Sequence, residues 1–175
     1  PSSFKDAFDP KWGNKSGIID IQYIFVIMAA SLAATNGASM IDFEKAKEVL
    51  LASKKAGVRI YPTNEAFAQA LKTEEISIGI MWKARAVQWQ NAGISVESVA
   101  ATEGIPLYIS GFAISKNAPN KDAAYAYINA TLEKNAQEAF AVDMGYNAAI
   151  TTAVVAPDLQ KRIGFTAEEQ KRLKD

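Results

Sequence analysis

The run Ile105 to Ile114, IPLYISGFAI, is apolar on both alternating faces, with Leu107, Ile109 and Ala113 on one and Tyr108, Phe112 and Ile114 on the other. A strand of that kind needs cover on both sides, the condition of a sheet held between layers of helices. Ser110 and Gly111 interrupt the run, which fits either a bulge or a close approach by another group. Asn117, Pro119 and Asn120 then form a turn. Asn120 is placed to cap a helix, Asp122 suits its positive end, and Ala124, Tyr127, Ile128, Thr131 and Leu132 keep helical spacing. The segment reads as buried strand, short loop and capped helix over 121–132.

The same alternation recurs along the chain. Gly17 to Ile21 reads as a strand followed by a helix over Tyr23 to Thr35, and a second helix follows from Ile41 to Ala56. That second helix has Asp42 and Glu44 in its first turn, Lys54 and Lys55 in its last, and Gly57 as its stop. Arg59 to Tyr61, Ile76 to Met81 and Val96 to Ala100 read as further strands, with helices over 64–72 and 83–91 between them. Further helices are expected over 121–132 and 136–142. Phe4, Phe8 and Trp12 stand four apart, a spacing that places three rings on one side of a helical segment at a lobe edge. Short loops joining alternating strands and helices predict an α/β fold with a mostly parallel sheet.

Composition narrows the chemistry. Nineteen basic and nineteen acidic residues leave zero formal charge in 175 residues, so the long-range field that draws a protein to nucleic acid is missing and no nucleic-acid partner is expected. With neither Cys nor His, thiol catalysis, histidine relays and the usual zinc sites are excluded. Asp20, Glu103 and Asp143 could act as acids or bases, but nothing in the sequence pairs them and no nucleophile with its base is visible. Tyr125 and Tyr127, two apart on one helix, point to different sides and read as packing residues. No enzyme, metal or cofactor is expected. The longest apolar stretch, Ile24 to Ala34, is well short of the ~20 residues that span a bilayer and reads as a buried helix.

SFKDAFDPKWGNKSGI at Ser3 to Ile18, the Gly79 to Trp82 strand end, EGIPL at Glu103 to Leu107, and MGYNAAI at Met144 to Ile150 occur in a set order. That ordered set resembles the extracellular solute-binding proteins of ABC importers, of the type II periplasmic-binding fold and its spermidine/putrescine-binding-like branch. The likeness covers nearly the whole chain and corresponds to the C-terminal half to two-thirds of such a protein. It implies one lobe plus an incomplete part of the other: residues 1–108 in the second lobe, 109–147 as a crossover strand and helices of the first, and 148–175 returning to the second. It also implies a periplasmic or extracellular location, a small-molecule solute and a cognate ABC permease. A missing first-lobe segment or a domain-swapped copy is expected to cover the crossover.

Ligands in open α/β sheets bind beyond the carboxyl ends of strands, where helix N-termini present free N–H groups. Two places have that character. Asp20, Gln22 and Tyr23 follow the first strand, as solute contacts or as a helix cap with an edge ring. Trp82, Lys83 and Arg85 follow the strand ending at Met81, with Trp82 as a ring against a solute or a core residue. Lys83 and Arg85 are cations in a first helical turn, against the dipole, and call for a compensating group: an anion, solvent or an acidic neighbour. The resemblance adds Tyr108 and Ser110, where polyamine-binding members carry an aromatic and an aspartate, and Tyr146 beside Asn147. Serine in place of that aspartate removes a charge-assisted partner of about 1.5–3 kcal/mol, favouring an amino-acid-like zwitterion or organic anion over a polyamine-like amine. Binding without turnover is the expected function, with an effector-sensing domain of a transcription regulator as the alternative.

Overall fold

The computed structural model describes residues 1–175, apart from the side chain of Gln22. In chain order the elements are α1 (Phe4–Ala7), β1 (Ser16–Ile19), α2 (Tyr23–Thr35), α3 (Phe43–Ala56), β2 (Arg59–Tyr61), α4 (Asn64–Lys72), β3 (Ile78–Gly79), α5 (Lys83–Asn91) and β4 (Ile105–Pro106). They continue with α6 (Lys121–Thr131), α7 (Lys134–Met144), α8 (Pro157–Ile163), α9 (Ala167–Gln170) and β5 (Leu173–Lys174), and 3₁₀ turns occupy Pro10–Lys15 and Asp20–Gln22. Two compact units result: Pro1–Leu107 with Phe165–Asp175, and Tyr108–Gly164.

The first unit is built on a parallel sheet of order β2-β1-β3, with Gly17 opposite both Arg59 and Gly79. Alternation of side chains along β1 divides the packing between two faces. Ile18 and Ile78 face one cluster, where Phe8, Val26, Ala29, Ala30, Ala33 and Ala46 bring together α2 and α3. Ile19 belongs to the other, with Phe67 and Ala70 of α4, Trp89 of α5, and Ile76, which precedes β3. The apolar helix α2 is so deeply enclosed that Ser31 is fully buried. Its hydroxyl donates to the Ser39 carbonyl at 2.8 Å and accepts from the Asp42 amide at 2.9 Å, satisfying it and fixing the turn into α3.

Phe67 sits on the sheet because two glycines make room for it. A Cβ at Gly79 would stand 2.6 Å from the Phe67 ring and 2.5 Å from the Gly17 carbonyl oxygen, and one at Gly17 would stand 3.2 Å from the same ring. The ring stacks on Trp89 at 5.8 Å between centroids and meets Tyr61 edge-on at 5.6 Å. A second, two-stranded parallel sheet pairs Ile105 with Leu173 and Pro106 with Lys174, holding the ends of this unit's two chain segments together.

The second unit has helices α6, α7 and α8 and no strand among its described residues. Asn120 caps α6, accepting from the Ala123 amide at 2.9 Å as its position in the sequence predicts. Residues 124, 128 and 131 are the half-buried line of that helix, and none of its residues is fully buried. Side chains of α7 hold the following loop: the Gln137 amide oxygen accepts from Ala149 N–H and a Glu138 carboxylate oxygen from Val154 N–H, each at 2.7 Å.

Several expectations are corrected. Of the strand expected over 105–114 only Ile105 and Pro106 form a ladder; Ile109 is 81% exposed and Phe112 64%. A run apolar on both faces makes a buried strand only where neighbouring strands and helices cover it, and beyond the Leu107 amide, which donates to the Lys174 carbonyl at 2.8 Å, no described strand flanks 108–114. Gly111 is neither a bulge nor a close approach, since nothing lies within 4 Å of where a Cβ would stand. Val96 to Ala100 is likewise not a strand. α1 stops at Ala7, so of the three spaced rings Phe4 and Phe8 join the core while Trp12 sits in the 3₁₀ turn, its indole N–H donating to the Asp6 carbonyl at 2.8 Å. Tyr125 and Tyr127 are both mostly exposed; Tyr127 meets the edge of Phe112 at 5.7 Å.

Candidate functional site

The parallel arrangement puts the carboxyl ends of β1, β2 and β3 along one sheet edge. The order β2-β1-β3 reverses direction at the β1/β3 pair, the switch point beyond which open α/β sheets take ligands. From that edge start α2, α4 and α5, each following its strand by a few residues. Asp20 and Tyr23 occupy the end of β1. Asp20 opens the 3₁₀ turn without serving as a side-chain cap, and both residues are exposed, Tyr23 to 66%. Gln22 lies outside the described side chains.

Trp82 occupies the end of β3. It is the N-cap residue of α5, in extended backbone, and its half-buried ring meets the edge of Phe25 from α2 at 6.1 Å between centroids. That contact joins the two halves of the edge that the sequence singled out separately. Phe25 was not among the predicted residues; its position two beyond Tyr23 in an apolar helix gave no sign of the contact. The same is true of Asn64, the first residue of α4, whose buried amide oxygen has no hydrogen-bond donor against it.

The two cations of α5 both have partners within the protein. The Arg85 guanidinium donates to the Gln88 amide oxygen at 2.6 Å. Lys83 places its ammonium 4.3 Å from the centre of the Phe165 ring. Burial lowers its pKa and the carboxylate of Glu169 opposes that shift. Glu169 itself is held below its ordinary value, first by the Thr166 amide and, among lesser causes, by Lys83 and Arg172. An acidic neighbour is one of the groups that the position of Lys83 calls for, the aromatic face is not, and neither Phe165 nor Glu169 was legible as a partner.

In the second unit Tyr108 and Tyr146 come together at 6.4 Å between centroids, and Tyr146 stacks on Phe140 at 5.8 Å. Ser110 is exposed. Asn147 is spent on structure, its amide donating to the Ile163 carbonyl at 3.2 Å. Of the carboxylates considered for acid/base work, Glu103 is a clamp: it accepts from the Ser3 hydroxyl, from Phe4 N–H at 3.3 Å and from the Thr102 hydroxyl at 3.1 Å. Burial pushes its pKa up, but the hydrogen bonds, led by Ser3, bring it below the ordinary value. Among the described residues no group of three acidic side chains is placed to hold a metal, and no helix is long and apolar enough to cross a membrane.

An open parallel sheet wrapped by helices, with rings and helix N-termini at its carboxyl edge, defines an α/β binding fold. Over residues 1–167 the chain matches the bacterial extracellular solute-binding proteins, and it belongs to that family. Its fold is similar to that of a crystal structure of an ABC transporter from Clostridium perfringens, with a TM-score of 0.76 and 24% identity. The match covers 100% of this chain and 57% of that one, so the chain spans little more than half the length of the solved structure. No curated protein matches it.

Proposed function

We propose that the protein is the solute-binding subunit of an ABC import system, working in the periplasm or outside the cell, and that it holds a small polar solute without turnover. Family membership and the likeness to a structure described as an ABC transporter support the reading. In this reading residues 1–108 and 148–175 belong to one lobe of a two-lobed receptor and 109–147 to the other, whereas the compact units divide after Leu107 and after Gly164 and so leave 148–164 in the second unit. The exposed 108–113 run is then covered by a further segment or a second copy, and a permease receives the loaded form.

The observation that carries the site is the Phe25–Trp82 pair at the β1/β3 switch point, a half-buried aromatic wall beside the starts of two helices. The surrounding groups favour a zwitterion or a small organic anion. Asp20 is an exposed carboxylate suited to an amine, and the N-terminus of α5 with Arg85 suits a carboxylate. A polyamine would find serine and no carboxylate at position 110. Within the second unit, we further propose the paired rings of Tyr108 and Tyr146 as solute contacts in their own right.

Calorimetry against amino acids, small organic acids and polyamines tests the reading. A zwitterion or organic acid is expected to bind, and Trp82→Ala to weaken it by about tenfold or more, the usual loss for a central aromatic anchor. Heat from polyamines alone would overturn the solute class; silence from every class would overturn the function.

A further inference from the structure

The segment Phe165–Asp175 re-enters the first unit and is tied down at separate points. The Arg172 guanidinium donates to the carbonyls of Ala101 at 2.8 Å and Ala100 at 3.4 Å, and the Lys174 ammonium donates to the Gly37 carbonyl at 3.1 Å. Amides of Ile105 and Leu107 donate to the carbonyls of Arg172 and Lys174, each at 2.8 Å, in the β4–β5 ladder. All of these contacts hold the far end of the segment. Its near end, Phe165, is where the chain arrives from the second unit, and the ammonium of Lys83 stands over that ring. Glu169 is also a fixed point, because it completes a capping box with Thr166: the Thr166 hydroxyl accepts from Glu169 N–H at 3.2 Å and the Glu169 carboxylate accepts from Thr166 N–H at 2.7 Å.

We infer that Lys83 is a positioning residue and not a solute ligand: it latches the returning segment, through Phe165 and Glu169, to the first turn of α5 beside Trp82. A cation at a helix N-terminus is unfavourable by itself, and burial of the ammonium adds to the cost. Its placement over an aromatic face and near a carboxylate is the arrangement in which a partly desolvated cation is held most strongly. The latch therefore links two places far apart in sequence, the aromatic wall of the proposed site and the point where the chain returns. That link to solute rests on the proposed function; the latch itself does not.

Hydrogen exchange on the protein without solute separates the two. Lys83→Met keeps the aliphatic stem and removes the charge, and is expected to speed exchange at the Ile105 and Leu107 amides by about tenfold, the scale of losing a desolvated cation–π contact. Lys83→Arg is expected to restore protection, and Phe165→Leu to reproduce the Met variant. Unchanged exchange in Lys83→Met, or protection lost equally in Lys83→Arg, would overturn the latch whatever the solute. If a solute is found, the latch predicts a similar weakening in Lys83→Met and Phe165→Leu. A loss confined to the lysine variant and to anionic solutes would make Lys83 a direct ligand and overturn the inference.

Discussion

The two units use the same kinds of residue to opposite effect. In the first, apolar side chains alternate across a parallel sheet and find helices on both faces, so Ile19, Phe67 and Ile76 each keep about 1% of their surface exposed. In the second, Ile109 and Phe112 are no less apolar, yet they remain open to solvent. The difference is one of neighbours. A two-faced apolar run acquires its structure from what packs on it, so identical local patterns end as a core in one unit and as a surface in the other.

The largest expected break in this contrast is Phe67→Ala. It leaves a cavity among Trp89, Tyr61 and the two sheet glycines, and is expected to destabilise the first unit by about 3–5 kcal/mol, read as a lower urea midpoint by tryptophan fluorescence. Matched glycine substitutions sharpen the contrast. Gly79→Ala drives a methyl group against a backbone oxygen and the Phe67 ring, and is expected to cost about 1–3 kcal/mol. Gly111→Ala meets nothing within 4 Å and is expected to be neutral or to stabilise by up to about 1 kcal/mol through the unfolded chain. Equal losses at both glycines, read by thermal unfolding, would mean that the second unit is packed as tightly as the first.

The smallest effect is one of pH. Burial first, then the hydrogen bond to Glu75 at 2.8 Å, raises the Tyr61 pKa from 10.0 to about 12. Because the folded state holds this proton more tightly than the unfolded chain, stability is intact below pH ~10 and falls as pH rises towards ~12. Urea midpoints measured across that window should fall less steeply in Tyr61→Phe than in the parent protein.

What the sequence revealed follows from the same contrast. Helix α5 spans Lys83 to Asn91 as its spacing predicts, and α3 ends at Gly57, because helical bonds and caps are local. The spacing over 105–114 and 96–100 predicts strands of which only Ile105–Pro106 forms, because a ladder depends on a distant partner that a periodicity cannot report. The carboxyl-edge positions of Asp20, Tyr23 and Trp82 were legible from strand–helix order, whereas Phe25 and Asn64 were not. For Lys83 the conflict with the helix dipole did announce a compensating group. Its identity lay more than 80 residues away, beyond any local signal.

The clamp at Glu103 has a temporal side. Ser3 and Phe4 reach it across about 100 positions, and Gly37 meets Lys174 across 137. During synthesis helix α1 must therefore wait until residue 103 has been made, and the last of these ties forms only when residue 174 has been made. Long-range closure of this sort slows folding and extends the interval in which chaperones can engage the chain.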